Sequence, residues 1–119
     1  MRTADTRRAG RAWLALSLLA CLVACHGKWA EDRRFYAAVE GLAAGTPEQE
    51  VLRRLGPPAD RGQKFYLGQA DGFEAVYRAA ADSGSVRWLF WRRGVADDAV
   101  CAVGFGKDDR VTFKACGGT

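Results

Sequence analysis

The chain has 119 residues and a formal net charge of +4. Residues 1–24 hold four arginines and one aspartate, so the remainder is near +1, and the basic balance is no argument for nucleic acid. No internal repeat, low-complexity tract or second domain is visible, which leaves one domain around a single core with little room for an enclosed catalytic cleft.

Arg2, Arg7, Arg8 and Arg11 precede eleven mostly apolar residues, Trp13 to Val23, and then come Ala24 and Cys25. A basic stretch followed by an apolar one is the order of a secretory signal. Spanning a bilayer takes about 20 apolar residues, and this run is bounded by Arg11 and His26-Gly27-Lys28. Leu22-Val23-Ala24-Cys25 resembles the bacterial lipobox, where signal peptidase cuts before a diacylglyceryl-modified cysteine. A plain cleaved signal at an Ala-x-Ala-like site is the alternative. The expected organisation is a lipoprotein signal peptide over 1–24, lipid on Cys25, a short tether over 25–28 and one domain over 29–119. Removing residues 1–24 leaves 95, a length that buries somewhat over ~60% of its unfolded surface. Arg33 and Arg34 stand near enough to the anchor to meet anionic head groups. An Asp after the lipidated cysteine would favour the inner membrane; His26 stands there, so outer-membrane delivery with the domain facing the periplasm is expected.

Residues Trp29 to Ala44 carry a helical stripe at Phe35, Ala38, Val39 and Leu42, which Gly45 ends. A second helix is sharply punctuated. Thr46 is placed to cap, Pro47 suits the first helical position, and Gln49 completes a Thr-x-x-Gln box. Val51, Leu52 and Leu55 form its apolar face, Gly56 is a left-handed terminator, and Pro57-Pro58 forbid continuation. In the stretch 62–84, Lys64–Leu67 suggests a short strand and the spacing at 73–81 a helix, with a strand over Phe73–Arg78 as the alternative by residue type. Val86 to Arg92 reads as a strand, with Val86, Trp88 and Phe90 on one side and Arg87, Leu89 and Trp91 on the other. A hairpin of Ala99–Gly106 and Arg110–Cys116 follows. The expected class is α+β: two N-terminal helices packed on one face of a small antiparallel three-stranded sheet, with an inserted segment before the first strand.

Four cysteines are present. Cys21 leaves with the leader and Cys25 takes lipid, so Cys101 and Cys116 remain in a compartment that permits disulfides. If Asp108-Asp109 are the central turn residues, Cys101 lies opposite Cys116 and geometry allows a bond. A competing register pairs Phe105 with Val111 and Val103 with Phe113, and separates the sulfurs.

Residues Ala44-Gly45-Thr46-Pro47-Glu48-Gln49-Glu50-Val51-Leu52-Arg53-Arg54-Leu55-Gly56-Pro57-Pro58 resemble the Gly-x-(Thr/Ser)-x-x-x-(Val)-x-x-x-Leu-Gly-x-Pro signature of the SmpA/OmlA, or BamE-like, outer-membrane lipoproteins. Trp88-Leu89-Phe90-Trp91 and the Val103-Gly104-Phe105 … Asp109-Arg110-Val111 hairpin are similar to later elements of that family. The stretch Gly62–Ser85 is longer than the family's usual link, and Cys101 and Cys116 lie outside its pattern. The resemblance implies a role in outer-membrane protein assembly or envelope integrity, with the barrel-assembly machinery as partner.

Catalytic patterns are thin. His26 is the one histidine, beside the anchor, too far for a Ser-His-Asp or Cys-His arrangement. There is no zinc-ligand spacing. Gly104-Phe105-Gly106 lacks the rest of a phosphate-binding loop, and Asp97-Asp98 and Asp108-Asp109 read as turn formers. No catalytic residue, metal, cofactor, nucleic acid or small-molecule substrate is expected. Trp91 beside Arg87, facing away from Trp88 and Phe90, is the candidate partner-binding surface, unless the inserted segment folds over and buries it. The expected function is that of a non-enzymatic interaction module, held to membrane lipid through Cys25 and binding an envelope protein. The alternative is a periplasmic inhibitor or ligand-binding module presenting 62–84 as its contact loop.

Overall fold

The computed structural model describes residues 27–68, 72–94 and 96–118. The chain divides into two compact units, Met1–Glu31 and Asp32–Thr119. Of the first, residues 27–31 are described and are helical. The second begins with helical residues 32–40 (α1). There follow α2 (Glu48–Leu55), β1 (Asp60–Gly62), α3 (Glu74–Ala81), β2 (Arg87–Arg93), β3 (Ala99–Phe105) and β4 (Val111–Gly118). The class is α+β, but the antiparallel sheet has four strands, in the order β1-β2-β3-β4. The strand not anticipated is β1, which pairs Asp60 with Phe90 and Gly62 with Trp88. Three residues after Pro57-Pro58 are too few for an alternating pattern to show. Residues 64–67 do not form a strand; Phe65 and Leu67 turn into the core instead.

Helices cover both faces of the sheet. On one face α1, the turn after it and α2 bring Phe35, Val39, Leu42, Val51 and Leu55 against Leu89, Trp91, Cys101, Val103 and Phe105. On the other, Leu67, Ala80 and the half-buried Phe65, Phe73, Val76 and Tyr77 cover Trp88, Phe90, Val100 and Ala102. The expectation of helices on a single face is therefore corrected: the segment between β1 and β2 is the second layer. Within it the Tyr77 hydroxyl accepts the Leu67 N–H at 3.1 Å, and Phe65 packs edge-on against Tyr77 and Phe113. Gly104 sits beneath this layer, where a β-carbon would come within 2.4 Å of Ser85 Oγ and 2.7 Å of the Trp88 ring. Only glycine fits there.

The start of α2 differs from the capping box. Thr46 donates its hydroxyl to Ala43 O at 2.7 Å, and the helix has no side-chain cap. Its first N–H groups still need acceptors, and Glu48 N–H finds Asp109 O at 3.1 Å. Gly45 N–H and Thr46 O exchange bonds with Val111 at 2.8 and 2.9 Å. The loop before α2 thus runs along the beginning of β4, and neighbouring backbone replaces the cap. At the far end Gly56 adopts φ 78, ψ −170 and donates to Leu52 O. That is a glycine conformation, though not the left-handed helical one expected.

In the closing hairpin each proposed register holds over part of the ladder. Cys101 faces Cys116, and Gly104 faces Phe113; then Phe105 faces Val111, across a shift between Gly104 and Phe105. Thr112 is the extra residue of a β-bulge. Val103 consequently opposes Lys114, not Phe113. The sulfurs of Cys101 and Cys116 are bonded, with Cα atoms 4.0 Å apart.

Candidate functional site

Arg87 opens β2, and its guanidinium reaches two carboxylates from elsewhere in the chain. Nη1 and Nη2 donate to the Glu48 carboxylate at 2.9 and 2.5 Å. Nη2 and Nε also donate to Asp109 Oδ1 at 2.8 and 3.2 Å. The guanidinium carbon lies 5.0 Å from the centre of the Phe105 ring. The Glu48 hydrogen bonds, with help from Asp109, raise the Arg87 pKa above its ordinary value against the opposing effect of burial. Glu48 is held at the first turn of α2, and Asp109 sits in the β3–β4 turn at φ 61. Arg87 therefore ties three elements together. Glu48 and Asp109 were missed in the sequence, where nothing but their sign marks them as its partners.

Trp91 is 1% exposed and lies among Phe35, Leu55 and their neighbours. Its indole N–H donates to Gly56 O at 3.2 Å, so both its apolar ring and its polar edge are satisfied. The expected outward Trp91–Arg87 surface is corrected accordingly. Trp91 does face away from Trp88 and Phe90, but α1 and α2 cover that face. The inserted segment covers the opposite one.

Cys25 lies outside the described residues. Cys101 is fully buried, whereas its partner Cys116 is exposed. Among the described residues no group of three His, Cys, Asp or Glu side chains is placed to hold a metal ion, and no helix is long and apolar enough to cross a membrane.

One further concavity, of about 260 Å³, opens where β1 and β2 meet the segment after β1. Phe90 and Val100 line its apolar part, Tyr66 stands beside Phe90 with ring centres 6.5 Å apart, and Arg61, Lys64 and Arg92 surround it. Among the described residues of the lining Asp60 is the one acid, and its carboxylate accepts the Arg61 N–H at 2.8 Å. The basic-aromatic run from Arg61 to Tyr66 is the signal in the sequence that could have drawn attention to it.

Comparison with protein-family models, with curated proteins and with solved structures returns no match.

Proposed function

We propose that this chain is a lipid-anchored, periplasm-facing, non-enzymatic protein-interaction module that serves outer-membrane protein assembly or envelope integrity. The observation that carries the reading is Leu22-Val23-Ala24-Cys25 at the end of a basic, then apolar, leader. The Cys101–Cys116 disulfide suits an oxidising compartment outside the cytoplasm. The Gly45-to-Pro58 resemblance to BamE-like lipoproteins supplies the envelope role and the barrel-assembly machinery as the candidate partner. Lipid on Cys25 would hold the domain close to the bilayer and raise its effective concentration near envelope proteins. With Trp91 enclosed, contact falls to the exposed rims of the sheet.

The inhibitor or ligand-binding alternative has less support, because Phe65, Leu67, Phe73 and Tyr77 of its contact loop are occupied in packing on the sheet. The test is crosslinking in intact cells followed by capture of the lipidated protein, beside intact-mass analysis of the membrane extract. Lipid on Cys25, with an envelope-assembly protein crosslinked to the wild type and lost in Cys25→Ser, is the expected result. An unlipidated product beginning elsewhere, or crosslinks confined to one periplasmic enzyme that the protein inhibits, would overturn the proposal.

A further inference from the structure

Most described basic side chains of the second unit are occupied within the fold. Arg53 and Arg54 pair with Glu50, and Arg87 pairs with Glu48 and Asp109. Arg110 donates to Gly45 O at 2.9 Å, Lys114 to Leu42 O at 2.8 Å, and the Arg93 guanidinium lies 3.8 Å from the centre of the Phe35 ring. Arg61, Lys64, Arg78, Arg92 and Lys107 are not, and three of these, Arg61, Lys64 and Arg92, share one site. All three are exposed, and among the described residues none forms an ion pair. They surround the same cavity of about 260 Å³. Its apolar part is Phe90 and Val100, and Tyr66 beside it is 45% exposed. Asp60, the acid of the lining, is turned to the Arg61 backbone.

From this arrangement we infer that the cavity binds an acidic peptide segment of a partner protein, one aromatic or aliphatic side chain entering it while flanking carboxylates meet Arg61, Lys64 and Arg92. The volume suits one or two side chains. A bare inorganic anion would answer the charges but leave the apolar floor and the Tyr66 ring unused. An apolar segment alone would leave three cations without counter-charge. Charge complementarity of this kind sets selectivity and on-rate and is weakened by salt. Beyond β1 the described sheet has no further strand, so an extended segment can approach from that side. The inference deepens the proposed interaction role and rests on it.

The test measures anisotropy of a fluorescein-labelled Asp-Glu-Phe-Asp-Glu peptide against membrane-extracted protein in detergent micelles at low salt. Binding is expected, weakening on salt addition. The Arg61→Glu/Arg92→Glu double variant should bind at least about tenfold more weakly, since two attractions are lost and charge reversal adds repulsion. Tyr66→Ala should weaken binding about threefold or more, and an Asn-Gln-Phe-Asn-Gln peptide should not bind. Arg78→Glu, an exposed cation on α3 away from the cavity, should change affinity less than twofold, with circular dichroism confirming the fold of every variant. Equal losses in Arg78→Glu, no loss in the double variant, or full competition by inorganic phosphate at equal concentration would overturn the inference. The same double variant in the intact-cell crosslinking separates the two claims. A partner captured by the wild type and by the variant alike leaves the interaction role standing and removes the cavity from it. Peptide binding without any captured partner removes the role.

Discussion

Arg87 and Glu48 stand 39 residues apart in sequence and meet through two parallel hydrogen bonds, at 2.9 and 2.5 Å, that join the first turn of α2 to the start of β2. Asp109 accepts from the same guanidinium, so the arrangement also fastens the hairpin turn. Two-pronged, charge-assisted bonds of this geometry are stronger than ordinary surface pairs. Burial is intermediate, with side-chain exposures of 30% and 21% for Arg87 and Glu48 and 67% for Asp109, and solvent screening trims the value.

Arg87→Met should therefore lower unfolding free energy by about 1–2 kcal/mol. Thermal denaturation should register a fall of roughly 5–10 °C for a domain of this size. Glu48→Gln should produce a smaller loss, and the double change should cost less than the sum, because the two residues share one interaction. Strict additivity would show that they act separately.

The disulfide closes a loop over a sequence separation of 15, for which chain entropy gives about 3 kcal/mol before native strain is subtracted. Non-reducing peptide mapping should find the peptides of Cys101 and Cys116 joined. Because Cys116 is exposed while Cys101 is not, a reductant should open the bond without prior unfolding. The midpoint of denaturation should then fall, as it should in Cys116→Ser. Free thiols in oxidised protein would contradict the bonded hairpin.

The second helix and the closing hairpin were legible in the sequence because each carries local punctuation, Pro47 and Gly56 for the helix and the Lys107-Asp108-Asp109 run for the hairpin. The central turn pair, however, is Lys107-Asp108, not Asp108-Asp109, and Cys101 meets Cys116 only because of the shift farther along the ladder. The two registers were each half right because the alternating pattern has no means of showing a bulge, and Thr112 absorbs the difference. What covers Trp91 was not legible, because alternation separates two sides of a strand without saying what lies on each. Neither an outward surface nor cover by the inserted segment is what the fold shows. In Trp88-Leu89-Phe90-Trp91 neither side is wet. The site cations were illegible for another reason: whether Arg61 or Arg87 finds a carboxylate depends on contacts between distant segments, and both look alike in the chain.

Trp91 and Gly56 should behave as a coupled pair. Trp91→Ala should cost about 3–5 kcal/mol through the cavity it leaves, while Trp91→Phe, which loses the bond to Gly56 O and leaves a smaller void, should cost about 2–3 kcal/mol. Gly56→Ala places a β-carbon on a residue with φ 78, ψ −170 and should cost about 1–3 kcal/mol. If Gly56→Ala leaves the melting midpoint unchanged, the backbone at the end of α2 is not as described.

Glu50 accepts from Arg53 and Arg54 on the exposed side of α2, and these bonds, Arg53 first, lower its pKa from 4.5 to about 2. A carboxyl depressed on folding stabilises the protein above its unfolded pKa, and that contribution disappears as pH falls from about 4.5 through about 2. Carbon-detected NMR titration should place the Glu50 midpoint well below those of other glutamates, and Arg53→Ala should move it upward. A midpoint near 4.5 in the unaltered protein would refute the pairing.

Burial of the sheet on both faces leaves Trp88-Leu89-Phe90-Trp91 as four consecutive apolar residues, each enclosed in the fold. Before folding is complete, such an uncharged aromatic stretch with strand preference is a self-association hazard. It is flanked by Arg87 on one side and Arg92 and Arg93 on the other, the placement of gatekeeper charges that hold sticky segments of neighbouring chains apart. These arginines therefore guard the strand until the two helical layers close over it, as well as serve the finished fold.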